Sequence, residues 1–294
     1  MPIAGTYPML YALFDEGGRL RPDAFAPQVA AARAAGAEGV AVLGLGTETA
    51  KLGRAERRAA LRAVLEAAEG LPVAATVAET SLPDAREAAR EAEGEGAAWV
   101  ILQPPRTPCP EPDLVRWFAE AALAVSCPVA VQNAPEFLGI GLSPAGIAAL
   151  AARAPNLAAV KAECPALDAG ALVDVLGGRL AVLNGRAGLE LTDNARAGVL
   201  GMIPGVESVD LQAPAFRLMR EGREAEAEAL YRRALPLVAF IMQGIGRFVL
   251  YGKLVAALRL GLDPGGVRLP GERPTPRGLA FAHRFAAELG PLPT

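Results

Sequence analysis

The chain has 294 residues, 52% of them hydrophobic and 21% charged, and a net charge of −3 at pH 7. That balance provides no basic stripe for a phosphate backbone, which argues against nucleic acid as a partner. Apolar runs are far shorter than the ~20 residues that span a bilayer, so no membrane partner is expected.

Taken in chain order, short apolar runs alternate with amphipathic stretches. Strands are predicted at 7–12, 39–43, 72–77, 98–102, 128–132, 157–161, 180–183 and 199–203, and helices at 23–35, 54–69, 83–94, 112–125, 143–152, 167–176, 186–196 and 207–220. Strands without polar alternation are covered on both faces, and intervening helices imply parallel pairing. Eight such units predict a (β/α)8 TIM barrel over residues 1–221. A doubly wound open sheet is the alternative, but no G-x-G-x-x-G turn follows the first strand. Beyond 221 the pattern is helical, around 223–243, 245–260 and 276–289, which predicts a C-terminal helical extension over 222–294. The N-terminal MPIAGTYPML has neither a basic region nor a cleavable apolar core, so a cytoplasmic protein is expected.

Much familiar chemistry is missing. Cys109, Cys127 and Cys164 are odd in number, far apart and without CxxC spacing, so reduced structural thiols are expected and no metal site is indicated. His283 is the only histidine and lies in a helical segment, which leaves no multi-histidine site and no obvious partner for a serine or cysteine nucleophile. Lysine, tyrosine, carboxylates and amides remain.

Lysine is rare. Of 29 basic residues only Lys51, Lys161 and Lys253 are lysines, and Lys161 ends an apolar strand, NLAAVK. Active sites of such barrels lie at the C-terminal ends of the strands. An amine in the barrel mouth would be partly desolvated, which favours the neutral, nucleophilic form a Schiff base requires. Glu163, two residues on, would share its face if the strand continues, as proton shuttle or as ion-pair partner. Gln132 and Asn133 end the fifth strand, either as a structural turn or with Gln132 contacting a substrate. In VLGLGTETAKL, Gly44 and Gly46 would let the 44–47 amides (Gly44, Leu45, Gly46, Thr47) converge on an anion, with the Thr47 hydroxyl beside them. A tight turn with threonine as helix cap fits the same residues. After the seventh strand, Gly185 permits close backbone approach and Arg186 could clamp a carboxylate.

Together these positions resemble the dihydrodipicolinate synthase and N-acetylneuraminate lyase family of class I aldolases, from about residue 7 to 270. The family's G-T-T-G-E motif corresponds to GLGTE at 44–48, its Y-N-x-P to QNAP at 132–135, its strand-six lysine to Lys161, its S-G-D-D element to NGRA at 184–187, and its later G-x-x-G-x-I-S segment to GVLGMIPG, which contains Ile203. The resemblance implies a homo-oligomer, tetramer or dimer, in which Lys161 forms a Schiff base with a small 2-oxo acid and no metal or organic cofactor is needed. The departures matter: the family's catalytic tyrosine is Gln132, its paired threonines are Leu45 and Gly46, the arginine after Y-N-x-P aligns with Phe137, and the tyrosine after strand four aligns with Pro105. A K-x-E with glutamine in place of tyrosine looks like the branch of 2-keto-3-deoxy-sugar-acid dehydratases. The expected activity is a Schiff-base lyase, dehydratase or aldolase. A synthase-type condensation of pyruvate with an aldehyde and a catalytically silent, oxo-acid-binding barrel are the alternatives.

Overall fold

In a computed structural model, which describes residues 3–294, eight parallel strands run in the order β1-β8-β7-β6-β5-β4-β3-β2. They are β1 (Gly5–Thr6), β2 (Val40–Val42), β3 (Val73–Val77), β4 (Trp99–Leu102), β5 (Val129–Asn133), β6 (Leu157–Ala162), β7 (Ala181–Asn184) and β8 (Gly201–Met202). Met9 closes the ring by bridging Ala41 on one side and Gly205 on the other. The (β/α)8 barrel expected from the alternating runs is therefore what the chain forms. The first strand, at Gly5–Thr6, lies before the predicted 7–12: Pro8 has no N–H to donate, and beyond it pairing resumes only as the isolated bridges at Met9.

Helices alternate with the strands: α1 (Phe25–Ala34), α2 (Arg54–Ala68), α3 (Leu82–Glu95), α4 (Glu111–Ala122), a short α5 (Pro135–Leu138), α6 (Pro144–Ala151), α7 (Ala166–Leu176), α8 (Leu191–Arg196) and α9 (Val209–Arg220). Their starts are specified locally. Ser81 and Ser143 each accept a hydrogen bond from the backbone N–H three residues on, with proline in the first turn.

The predicted helix at 186–196 is broken. Arg186–Gly188 form a 3-10 turn, and Arg186, Ala187 and Glu190 all have positive φ before α8 begins. The side chains of Arg186 and Asn194 bond Glu190 and the 189–190 carbonyls, holding this irregular backbone in place.

Four helices follow: α10 (Glu224–Ile241), α11 (Ile245–Arg247), α12 (Lys253–Arg259) and α13 (Pro276–Leu289). The predicted 245–260 helix is instead α11, a π-helical stretch Phe248–Gly252 and α12. Gly252 packs against the Tyr11 hydroxyl with no room for a Cβ, and Gly244, at φ 156°, ends the segment before it. Buried Arg259 ties this region to the barrel through both carboxylate oxygens of Asp210, at 2.9 and 2.7 Å. Among the described residues no single helix is long and apolar enough to cross a membrane.

The barrel interior follows from the two-residue period of the strands. Ala41, Ala74, Ala130, Ala159 and Ala181 line it beside Trp99, Ile101 and Leu183, and the Tyr7 and Trp99 rings meet edge to face at 5.2 Å. Counting on by two along each strand places Thr76, Gln103, Gln132 and Lys161 on the same inner surface.

Candidate active site

Lys161 stands in register with Gln132 of β5 and Leu183 of β7. The extended backbone continues past it, since the Glu163 N–H donates to the Asn133 carbonyl at 2.9 Å. Two residues apart on an extended segment, Lys161 and Glu163 share a face, and Lys161 Nζ lies 2.8 Å from Glu163 Oε1. Both side chains are about 95% buried. A charged group buried this deeply needs a partner, and each supplies the other's. A Cβ at Gly185 would sit 2.5 Å from Glu163 Oε1, so this glycine is where the carboxylate rests. The close approach anticipated at Gly185 is thus made by Glu163.

The two amides ending β5 diverge. Asn133 bonds both the N–H and the carbonyl of Leu142, at 2.8 and 3.0 Å, and fixes the loop after α5. Gln132 points inward beside Lys161, is 1% exposed, and neither its Oε1 nor its Nε2 has a partner among the described residues.

The turn after β2 is moulded around Met9. Leu43 adopts φ 63°, Gly44 and Gly46 press on the Met9 side chain where no Cβ would fit, and the Thr47 hydroxyl donates to the Leu10 carbonyl at 2.6 Å. That bond commits the Thr47 hydroxyl to the turn and away from the cavity, unlike the expectation for it. The N–H groups of Leu45, Gly46 and Thr47 donate to no acceptor among the described residues. Consecutive free N–H groups of this kind form a concavity suited to an anion.

Lys161, Glu163, Leu45, Gly46, Arg186 and Ile203 line one cavity. Gly44, Thr47, Gln132 and Gly185 support its walls without being part of that lining. Arg186 donates to Glu190 Oε2 at 2.9 Å, while its Nε has no partner among the described residues. Sequence reasoning missed Met9, Ala187, Met242, Ile245 and Phe248 as lining residues and noted Phe137 only as a replacement. Met242, Ile245 and Phe248 come from the helices beyond the barrel; a hydrophobic cluster flanking Gly244 was the available signal. Larger cavities lie elsewhere, among them one between α2 and α3 among Arg54, Arg57 and Glu87 and another around Lys51 and Lys253. None of them contains Lys161. In the one around Lys51 and Lys253, both lysines pair with the buried carboxylate of Glu48.

The sequence matches the Dihydrodipicolinate synthetase family over residues 2–272. The chain belongs to the dihydrodipicolinate synthetase family. It is 31% identical to a 4-hydroxy-tetrahydrodipicolinate synthase of Sorangium cellulosum, over 90% of this chain and 92% of that protein. It is 28% identical to an L-2-keto-3-deoxyarabonate dehydratase of Azospirillum brasilense, over 80% of this chain and 78% of that one. The structure of YagE from Escherichia coli K12 in complex with pyruvate superposes with a TM-score of 0.90 at 23% identity, covering 98% of both chains. This member of the dihydrodipicolinate synthetase family is accordingly an enzyme of the class I aldolase and lyase type, working through a lysine Schiff base that needs no added cofactor.

Proposed function

We propose that this enzyme is a Schiff-base lyase that dehydrates or cleaves a 2-keto-3-deoxy acid, with Lys161 as nucleophile and Glu163 in the role the family gives to tyrosine. The observation that carries this reading is the buried 2.8 Å Lys161–Glu163 pair beside a glutamine that cannot act as a phenol does. Glu163 takes a proton from the Lys161 ammonium, and the free amine attacks the C2 carbonyl. Glu163 returns that proton to the departing C2 hydroxyl, and loss of water leaves an iminium that withdraws electrons from C3. Glu163 then removes a C3 proton to give the enamine. Protonation of the C4 hydroxyl by the same carboxylic acid breaks the C4–O bond, water leaves, and hydrolysis of the conjugated iminium frees the lysine. In the cleavage variant the carboxylate instead takes the C4 hydroxyl proton, and C3–C4 breaks. Gln132 orients the substrate, the Leu45–Thr47 N–H groups receive its carboxylate, and Arg186 and Ile203 flank it. The similarity to a 2-keto-3-deoxyarabonate dehydratase supports this reading.

The similarity to a 4-hydroxy-tetrahydrodipicolinate synthase favours a second reading, condensation of pyruvate with an aldehyde. Gln132, and Phe137 at the cavity where the family's arginine is expected, weigh against it. Borohydride trapping with pyruvate and with 2-keto-3-deoxy acids, read by intact mass, tests the chemistry. A wild-type adduct absent from Lys161→Ala is expected, whereas no adduct with any 2-oxo acid would restore the silent-barrel alternative. Product analysis separates water loss from condensation. The reading also includes a homo-oligomer, tetramer or dimer, in the cytoplasm, which sedimentation and fractionation address.

A further inference from the structure

The segment that carries Glu163 is held from two sides by different means. Toward β5, the Glu163 N–H has its backbone bond to Asn133. Toward β7, the ladder stops at the Ala162–Asn184 pair, and the chain turns away through Gly185 and Arg186, the latter at φ 49°. Past that pair, the Cys164 carbonyl and the Ala166 N–H have no backbone partner among the described residues. Side chains take both. Asn184 Nδ2 donates to the Cys164 carbonyl at 2.9 Å, and Glu190 Oε2 accepts from the Ala166 N–H at 3.3 Å. Asn184 Nδ2 also donates to Asn194 Oδ1 at 2.9 Å, and Asn194 Nδ2 donates in turn to the carbonyls of Leu189 and Glu190, at 3.3 and 2.9 Å. Each bond dictates which end of the next amide faces it, so neither amide can flip without breaking the chain. Leu183 faces the barrel interior, so Asn184 faces outward, toward α8, and both asparagines are fully buried outside the cavity that holds Lys161. The arrangement costs stability. Asn184 Oδ1 has no partner among the described residues, a loss that an apolar side chain of the same shape would avoid.

We propose that Asn184 and Asn194 are positioning residues, a buried amide bridge that holds Glu163 within proton-transfer distance of Lys161. This rests on the reading of Glu163 as the proton carrier. The Asn133 carbonyl anchors the Glu163 N–H, and Asn184 anchors the carbonyl one residue on, so the backbone from which the carboxylate projects is fixed on both sides. Asn184 also immediately precedes Gly185, where that carboxylate rests. One side chain thus sets the backbone of Glu163 and the seat of its carboxylate relative to each other. Asn194 adds a third point, tethering Asn184 to the 189–190 backbone, where Glu190 pairs with Arg186 on the cavity wall. Neither asparagine touches a reacting atom, and both act through Glu163. Their effect is large because a shift of about 1 Å in a catalytic group costs about a hundredfold in rate.

The test uses pyruvate, which calls only on the amine and the proton carrier. With pyruvate held as the iminium on Lys161, Glu163 takes a C3 proton to give the enamine, exchanges it with solvent D2O and returns a deuteron to C3. Deuterium entry into the pyruvate methyl group therefore reads the proton transfer, while borohydride trapping reads the iminium. Asn184→Ala is expected to slow deuterium entry about tenfold or more and to leave the adduct at saturating pyruvate unchanged. Asn194→Ala, which keeps the bond to Cys164, is expected to slow it about threefold. In a Glu163→Gln background each alanine should cost less than about 1.5-fold, whereas a merely structural role would cost the same factor in both backgrounds. Circular dichroism melting establishes folding, and if Asn184→Ala does not fold, Asn194→Ala decides the comparison alone. Deuterium entry within about 1.5-fold of wild type in the folded variants, or an equal loss in the two backgrounds, would overturn the bridge. Glu163→Gln exchanging pyruvate as fast as wild type would instead defeat the proton-carrier reading, and no adduct with pyruvate the Schiff-base reading, each taking the bridge with it.

Discussion

Gly185→Ala tests whether the position of Glu163, and not merely its charge, matters to turnover. The new methyl would lie 2.5 Å from Oε1 and 3.1 Å from both Cδ and Cγ of Glu163, whereas ordinary contact begins near 3.4 Å. The carboxylate oxygen must therefore retreat by about 0.9 Å, a displacement close to the ~1 Å misplacement that costs about a hundredfold in rate. We expect kcat on the best 2-keto-3-deoxy acid to fall about 30- to 100-fold, while borohydride still traps pyruvate on Lys161, since the amine itself is not displaced. Circular dichroism melting establishes that the variant is folded. In a Glu163→Gln background, already slow, the same alanine should cost less than about threefold, because two changes to one catalytic unit are not additive. A folded Gly185→Ala enzyme with turnover within about threefold of wild type would refute the reasoning. Glu163 would then be an ion-pair partner and not the proton carrier.

Three further outcomes follow from groups outside the site. Glu207 is fully buried, with the Tyr11 hydroxyl donating to Oε2 at 2.8 Å, and burial pushes its carboxyl up from 4.5 to about 7. Between those values the folded chain holds a proton that the unfolded chain has released, so stability falls as pH rises through the window, by about 3 kcal/mol in all. Glu207→Gln should flatten that slope in urea unfolding compared at pH 5 and pH 8, and an unchanged slope would contradict the assignment. Glu48→Gln leaves the buried Lys253 and the neighbouring Lys51 without their shared carboxylate and should cost about 3–5 kcal/mol in the same assay; a loss below about 1 kcal/mol would show the pair to be dispensable. Burial raises the thiols of both Cys127 and Cys164 to about 11, so alkylation by iodoacetamide should be slow at pH 8 and still accelerating at pH 10. A rate that levels off by pH 9 would place those thiols in a more polar setting.

What the sequence revealed, and what it hid, divides along physical lines. Unalternating apolar runs betray strands covered on both faces, so the barrel was readable. The Lys161–Glu163 juxtaposition was readable for the same reason, because an extended backbone fixes which residues share a face. Thr76 and Gln103 were within reach of the same counting, as polar residues two positions beyond Ala74 and Ile101 on inward-facing strand edges. The loop at 186–190 was not: left-handed conformations at an arginine, an alanine and a glutamate leave no mark in composition and are imposed by bonds to Glu190 and Asn194. Met242, Ile245 and Phe248 were hidden for a different reason. They meet Lys161 only through tertiary packing, after a change of chain direction at Gly244.

Those last three residues divide the labour of the enzyme. The lysine and its carboxylate are carried by a strand whose geometry the whole barrel enforces, whereas one side of the cavity is supplied by a short, irregular segment far along the chain. A change at 242–248 can alter the shape of what fits while every bond at the Lys161 amine stays as it is. Such a protein is free to diversify in its choice of acid without relearning its chemistry.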